Sequence, residues 1–241
     1  RGLVIVLMAL DHARGFFQPA GVDPQHLNTT TPLFFFIRWV THLCAPTFLL
    51  LAGVSIWLAA RKTPIATLRG HVARRGLLLM LLETTWVSFS WSFGWEVTYL
   101  GVLWAIGGAM VFTSLCIGRK PMWIGALGIG LTLLFATWTT PSGLLGFLCT
   151  PQRVHLFEHP IQSVYVIAPW FAVMAMGYGM GSVFETPNRG RSPATVGAFL
   201  LCLFVVVRSL NGWGDPTPWE QQNVAWKTWL DAIDPSKYPP S

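Results

Sequence analysis

Two stretches of this 241-residue chain set ionisable side chains inside otherwise apolar runs. The first reads Arg1-Gly-Leu-Val-Ile-Val-Leu-Met-Ala-Leu-Asp11-His12-Ala-Arg14. On a helix, the spacing of Arg1 and His12 returns them to nearly one face, about 16 Å apart along the axis. A cation at one end of a groove and an imidazole at the other suit a long ligand with an anionic head and a reactive far end. The second stretch, Arg38-Trp-Val-Thr-His42-Leu-Cys-Ala-Pro46, stacks Arg38 and His42 at i and i+4, with Thr41 and Cys44 near them. Pro46 bends the run and frees backbone groups to line a cavity. A neutral imidazole there is a general base or a nucleophile, and a guanidinium in a low dielectric stabilises developing negative charge. Asp11 is placed to orient one of the imidazoles.

Each feature also has a plainer reading. Arg1 fits an ordinary anchor at the cytoplasmic end of a span, with Asp11, His12 and Arg14 marking its outer end. Arg38 fits an ion pair with Asp11 or Glu83 that locks helices together. Glu83, in Met-Leu-Leu-Glu-Thr-Thr-Trp, is the acid inside its apolar run and the natural structural counter-ion. His71 lies among basic residues, and His26, His155 and His159 fall in polar connections, where a solvated histidine is the commoner role. The Ser-Phe-Ser between Trp86 and Trp91 has no base nearby in sequence. Gly177-Tyr-Gly-Met-Gly181 has the small-xxx-small spacing of close helix packing rather than of a nucleotide loop. Asn211-Gly-Trp-Gly-Asp-Pro216 is a turn-rich loop, serving as a lid, an acceptor-binding segment or a connector.

These residues sit in elements that composition assigns to a membrane. Only 11% of residues are charged, against roughly a quarter in soluble domains, while 53% are hydrophobic. Long apolar runs alternate with short clusters of Arg, Lys, Pro and Gly, and many of the thirteen tryptophans sit near run ends, where indole favours the membrane–water boundary. Seven runs qualify as spans, at about 1–17, 33–60, 76–92, 97–117, 122–138, 161–184 and 194–210. Ten of the sixteen basic residues then fall on one side: Arg1; Arg61, Lys62, Arg69, Arg74 and Arg75; Arg119 and Lys120; Arg189 and Arg191. The positive-inside rule puts that side, and the N-terminus, in the cytoplasm. In such a protein a net charge of +6 marks cytoplasmic loops rather than nucleic acid. Cys44, Cys116, Cys149 and Cys202 are scattered and give neither a disulfide framework nor a metal site. The expected fold is all-α: one polytopic transmembrane helix bundle over 1–241 with about seven spans. The start at Arg1, without methionine, and the end at Lys-Tyr-Pro-Pro-Ser241 both read as cut.

Several segments together resemble a known family. The run 1–12 resembles the first-helix signature of the bacterial DUF1624 membrane proteins. These are similar to the catalytic domain of heparan-alpha-glucosaminide N-acetyltransferase, within a wider transmembrane acyltransferase superfamily. Arg38-Trp-Val-Thr-His-Leu-Cys-Ala-Pro-Thr-Phe-Leu-Leu-Leu-Ala-Gly53 resembles the second-span block. Pro169 to Tyr178, Asn211 to Pro216 and Lys237 to Ser241 resemble later blocks, and the family continues past the last into further spans. The Arg1/His12 spacing is also similar to that on the first helix of the acyltransferase-3 family. The resemblance implies a bacterial inner-membrane acyltransferase using acetyl-CoA or another acyl-CoA and no metal. His12, with Asp11, His42 and Arg38, would form the catalytic set. Arg1, Arg74 and Arg75 would bind the donor, and a sugar hydroxyl or amine would accept the acyl group. The competing reading is a transporter whose buried Asp11, His12, Arg38, His42 and Glu83 carry protons or anions. Inverted internal repeats would favour it, and the hydropathy shows none.

Overall fold

The computed structural model describes residues 2–17, 23–26, 30–137, 143–185, 191–211 and 218–234. In chain order the elements are α1 (Gly2–Phe17), α2 (Pro32–His42), α3 (Cys44–Ala60), α4 (Ile65–Leu82), a π-helical turn (Glu83–Val87), α5 (Ser88–Ser92), β1 (Thr98–Leu100), α6 (Val102–Cys116) and α7 (Pro121–Thr137). Then come α8 (Gly143–Cys149), β2 (Arg153–Leu156), β3 (His159–Ser163), α9 (Ile167–Gly179), a 3₁₀ turn (Met180–Glu185), α10 (Arg191–Leu210) and α11 (Ala225–Ile233). The chain forms two compact units, one of Leu49–Ser192 and one of Arg1–Phe48 with Pro193–Ser241.

In the larger unit, α4 and α6 run antiparallel. Gly76 and Gly107 meet at their crossing, where a methyl on Gly76 would come within 2.6 Å of the Gly107 carbonyl. Helix α9 packs antiparallel to α7 and alongside α3 and α6. Gly177 lies against the Leu50 backbone, Gly179 against Gly125 and Gly181 against the Trp57 ring. Without a hydrophobic drive between helices in lipid, such close backbone approach is what gains packing energy. Arg69 donates to the Ile117 carbonyl at 3.1 and 2.6 Å, closing the C-terminal end of α6 from the first turns of α4.

By length and apolar composition, three helical stretches reach across a bilayer: Pro32–Ala60, Ile167–Phe184 and Pro193–Leu210. Val102–Cys116 and Pro121–Ala136 are apolar but shorter. Seven full spans are therefore not what the described helices supply. Where a helix was expected over 76–92, one begins at Ile65 and continues to Ser92 through the π turn. Arg69, His71, Arg74 and Arg75 are thus helical rather than in a connecting loop. Charge excluded them from an apolar window, yet arginine and alanine are good helix formers.

The expectation of an all-helical chain needs one amendment, a small sheet ordered β1-β3-β2. β1 and β3 pair in parallel, Thr98 opposite Ile161, and each leads into a helix of the α6–α9 pair. The N-terminal ends of the expected spans 97–117 and 161–184 are therefore strands. β2 and β3 form an antiparallel hairpin with Leu156 opposite His159. Its two turn residues, Phe157 and Glu158, take φ of 48° and 66°, a conformation that glycine and asparagine adopt at far lower cost. Replacing Phe157-Glu158 with Asn-Gly is expected to stabilise the protein by about 1 kcal/mol, read as a raised thermal midpoint in detergent.

Candidate functional site

The smaller unit carries the chemistry-bearing residues of the first two helices. α2 starts where Thr31 accepts the Phe34 amide at 3.4 Å and Pro32 occupies the first turn. It ends at His42, four residues before Pro46, whose ring lacks an N–H and crowds the His42 carbonyl. Leu43 breaks the helix, donating to Val40 at 3.3 Å, and α3 resumes at Cys44. The Cys44 thiol faces the Val4 carbonyl at 3.7 Å. With Asp11 opposite Arg38 and Thr41, that contact sets α1 antiparallel to α2.

The centre of this pair is the Asp11 carboxylate. Arg14 donates to Oδ1 from Nη2 at 2.9 Å and from Nε at 3.3 Å. Arg38 Nη1 donates to Oδ2 at 2.8 Å. The Thr41 hydroxyl is 2.8 Å from Oδ1 and 3.0 Å from the Arg38 carbonyl, so its single proton chooses between them. One carboxylate thus faces two guanidiniums, all three less than a quarter exposed, and the trio keeps a formal charge of +1. That surplus suits a place where negative charge arrives or develops.

Of the expected site residues, the structure brings Asp11 and Arg38 together. His42 lies buried one turn beyond Arg38. Asp11 holds arginine and threonine hydrogens, so it positions Arg38 rather than an imidazole. His12, about 100° round the helix from Asp11, presents an exposed side chain. Arg1 lies outside the described residues, and so does the far end of the Arg1/His12 groove. Arg14, read from sequence as an end marker, is the carboxylate's second partner. Its i, i+3 spacing from Asp11 was the available signal.

Glu83, in the larger unit, is not the counter-ion it was expected to be. Its Oε1 accepts the Gly101 amide at 3.0 Å and its Oε2 the Leu103 amide at 2.9 Å, capping α6 from a neighbouring helix. Gly101 is required there, since a Cβ would strike Oε1. Ser88 continues the same join, accepting the Tyr99 amide at 2.9 Å. At the opposite end of that unit Arg61, Lys62, Arg69, Arg74, Arg75, Arg119 and Lys120 are all exposed. Arg74 donates to the Gly70 carbonyl at 3.2 Å, and Arg61 lies 5.6 Å from the centre of the Trp57 ring. The four cysteines are thiols, none of them in a disulfide. Burial raises the Cys149 thiol above its ordinary range, which keeps it protonated at neutral pH. Among the described residues no group of three His, Cys, Asp or Glu is placed to hold a metal.

The model of the family described as heparan-alpha-glucosaminide N-acetyltransferase, catalytic, matches residues 1–209. The chain belongs to that family. No curated protein and no solved structure matches it. As a member of the heparan-alpha-glucosaminide N-acetyltransferase catalytic family, it falls among membrane acetyltransferases, which need an acyl donor and an acceptor. The match takes in α1 through nearly all of α10, and with them the Asp11–Arg38 cluster, while α11 lies beyond it.

The cluster makes unequal demands on its members. Asp11→Asn leaves two guanidiniums without their carboxylate and is expected to cost about 3 kcal/mol. Arg14→Gln keeps the Asp11–Arg38 pair and is expected to cost less, about 2 kcal/mol. Thermal unfolding of both variants in one detergent checks the ranking.

Proposed function

We propose that this protein transfers an acetyl group from a cytoplasmic acyl-CoA thioester to a hydroxyl or amine, that of a sugar, presented on the other side of a bacterial inner membrane. In this reading the N-terminus is cytoplasmic. Family membership supports the reaction class. The observation that carries the site is the Arg38 guanidinium held against the Asp11 carboxylate at 2.8 Å, one helical turn from His42. A neutral imidazole takes the proton of the acceptor O–H or N–H as that atom attacks the thioester carbonyl. The carbonyl oxygen becomes an oxyanion, which Arg38 is suited to stabilise. Collapse breaks the C–S bond, and the CoA thiolate leaves and takes up a proton. His12 is assigned the base, through the Arg1/His12 spacing shared with related acyltransferases. Arg1, Arg74 and Arg75 are assigned to the donor phosphates, and Arg74 and Arg75 are exposed.

His12 is exposed, so a thermal midpoint measured beside the rate separates loss of chemistry from loss of folding. His12→Ala is expected to lower the transfer rate by about 10²-fold or more with an unchanged thermal midpoint. A wild-type rate in that variant, with loss in His42→Ala, would move the base to His42. Acetyl-CoA is expected to raise the midpoint saturably, and a joint Arg74→Gln and Arg75→Gln variant to raise its KM about tenfold, near 1.4 kcal/mol, with kcat kept. Absence of any shift at millimolar acetyl-CoA would sink the donor assignment.

A further inference from the structure

Helix α11 has a firmly held side and a bare one. Its last carbonyls, which no helix can satisfy internally, are taken by side chains from elsewhere in the smaller unit. Arg208 of α10 donates to Ala232 at 2.8 Å and to Asp231 at 3.0 Å, and the Trp39 indole of α2 donates to Ile233 at 2.8 Å. Gln25 holds the Asp234 carboxylate at 2.8 Å, and Leu230 is buried. The polar flank is occupied as well. The Asp231 carboxylate accepts from the Glu220 amide and from Gln222 Nε2, both at 3.0 Å. The remaining flank is apolar and open: Trp226 is 40% exposed and Trp229 72%. Lys227 keeps its ammonium beside this face, 5.7 Å from the centre of the Trp226 ring.

What covers that face follows from where the helix is pinned. α10 belongs to a stretch long and apolar enough to cross a bilayer, and its Phe199, Leu201, Val205, Val206 and Leu210 are exposed. Arg208 lies two residues, about 3 Å along the axis, before the end of α10. The carbonyl end of α11 therefore sits at the level where α10 leaves the hydrocarbon. A helix end at that level lies in the boundary layer, where exposed indoles and a snorkelling lysine are favoured. We propose that α11 lies in the membrane–water interface, with Trp226 and Trp229 immersed among lipid headgroups.

The test uses the whole protein reconstituted into phosphatidylcholine vesicles whose acyl chains are brominated either near the headgroup or near the chain ends. The fluorescence lost on replacing Trp226 and Trp229 with Phe is the signal of interest. It is expected to be quenched about twofold more strongly by the headgroup-proximal bromines than by the deep ones, and little by aqueous iodide. Quenching by iodide with none by either lipid would overturn the proposal, leaving a water-facing surface for an acceptor or a partner. Equal or stronger quenching by the deep bromines would also overturn it, as burial in the hydrocarbon. If the double variant fails to fold, Trp229→Phe alone serves, because that ring is mostly exposed and its loss leaves the pinned end of α11 untouched.

Discussion

An ionised carboxylate in an apolar helix pair costs several kcal/mol unless donors surround it, and that requirement organises the smaller unit. Asp11 meets it by drawing Arg14 from its own helix and Arg38 and Thr41 from α2. The same bonds fix which faces of α1 and α2 meet, and the Cys44–Val4 contact then follows from their antiparallel course. His12, one residue from Asp11, is turned outward as a direct consequence. Arg38 gains the most, because a guanidinium held by one nitrogen against a fixed carboxylate keeps its other donors in a set direction.

The larger unit solves the same problem in the opposite way. Among the described residues no cation pairs with the buried Glu83, and the partial positive charge at the start of α6 takes its place. One carboxylate thereby joins the end of α4 to the exit of β1 and the start of α6. Most cations of this unit gather at the other end, Arg61, Lys62, Arg69, Arg74, Arg75, Arg119 and Lys120 among them.

Much of this was legible from residue types. The membrane class, the helix break near Pro46 and the pairing of Arg38 with an acid all follow from costs that do not depend on tertiary detail. The close packing around Gly177 was equally visible, since small residues at that spacing have few other uses in an apolar helix. The hairpin was hidden, because its turn carries Phe157-Glu158 in place of Asn-Gly and its middle strand contains Pro160. Pro160 is tolerated because it faces His155 of β2 at a position where β1 has not yet begun to pair. The partner of Glu83 was hidden for a different reason. A search for counter-ions looks for side chains, and the groups that answer it are backbone amides eighteen and twenty positions along the chain.

The wide turn at Glu83–Val87 has a consequence for how the chain can vary. A π turn holds one residue more than an α turn, and here the Thr84 and Thr85 hydroxyls donate to the Met80 and Leu81 carbonyls at 3.1 and 2.6 Å across it. Loss of a single residue from this turn would close it into an ordinary one and turn α5, which follows directly, by about 100°. Ser88 would leave the Tyr99 amide, while the crossing at Gly76 and Gly107 stayed in place. The turn therefore acts as a phase adjuster, through which one codon gained or lost re-aims α5 and spares the crossing behind it.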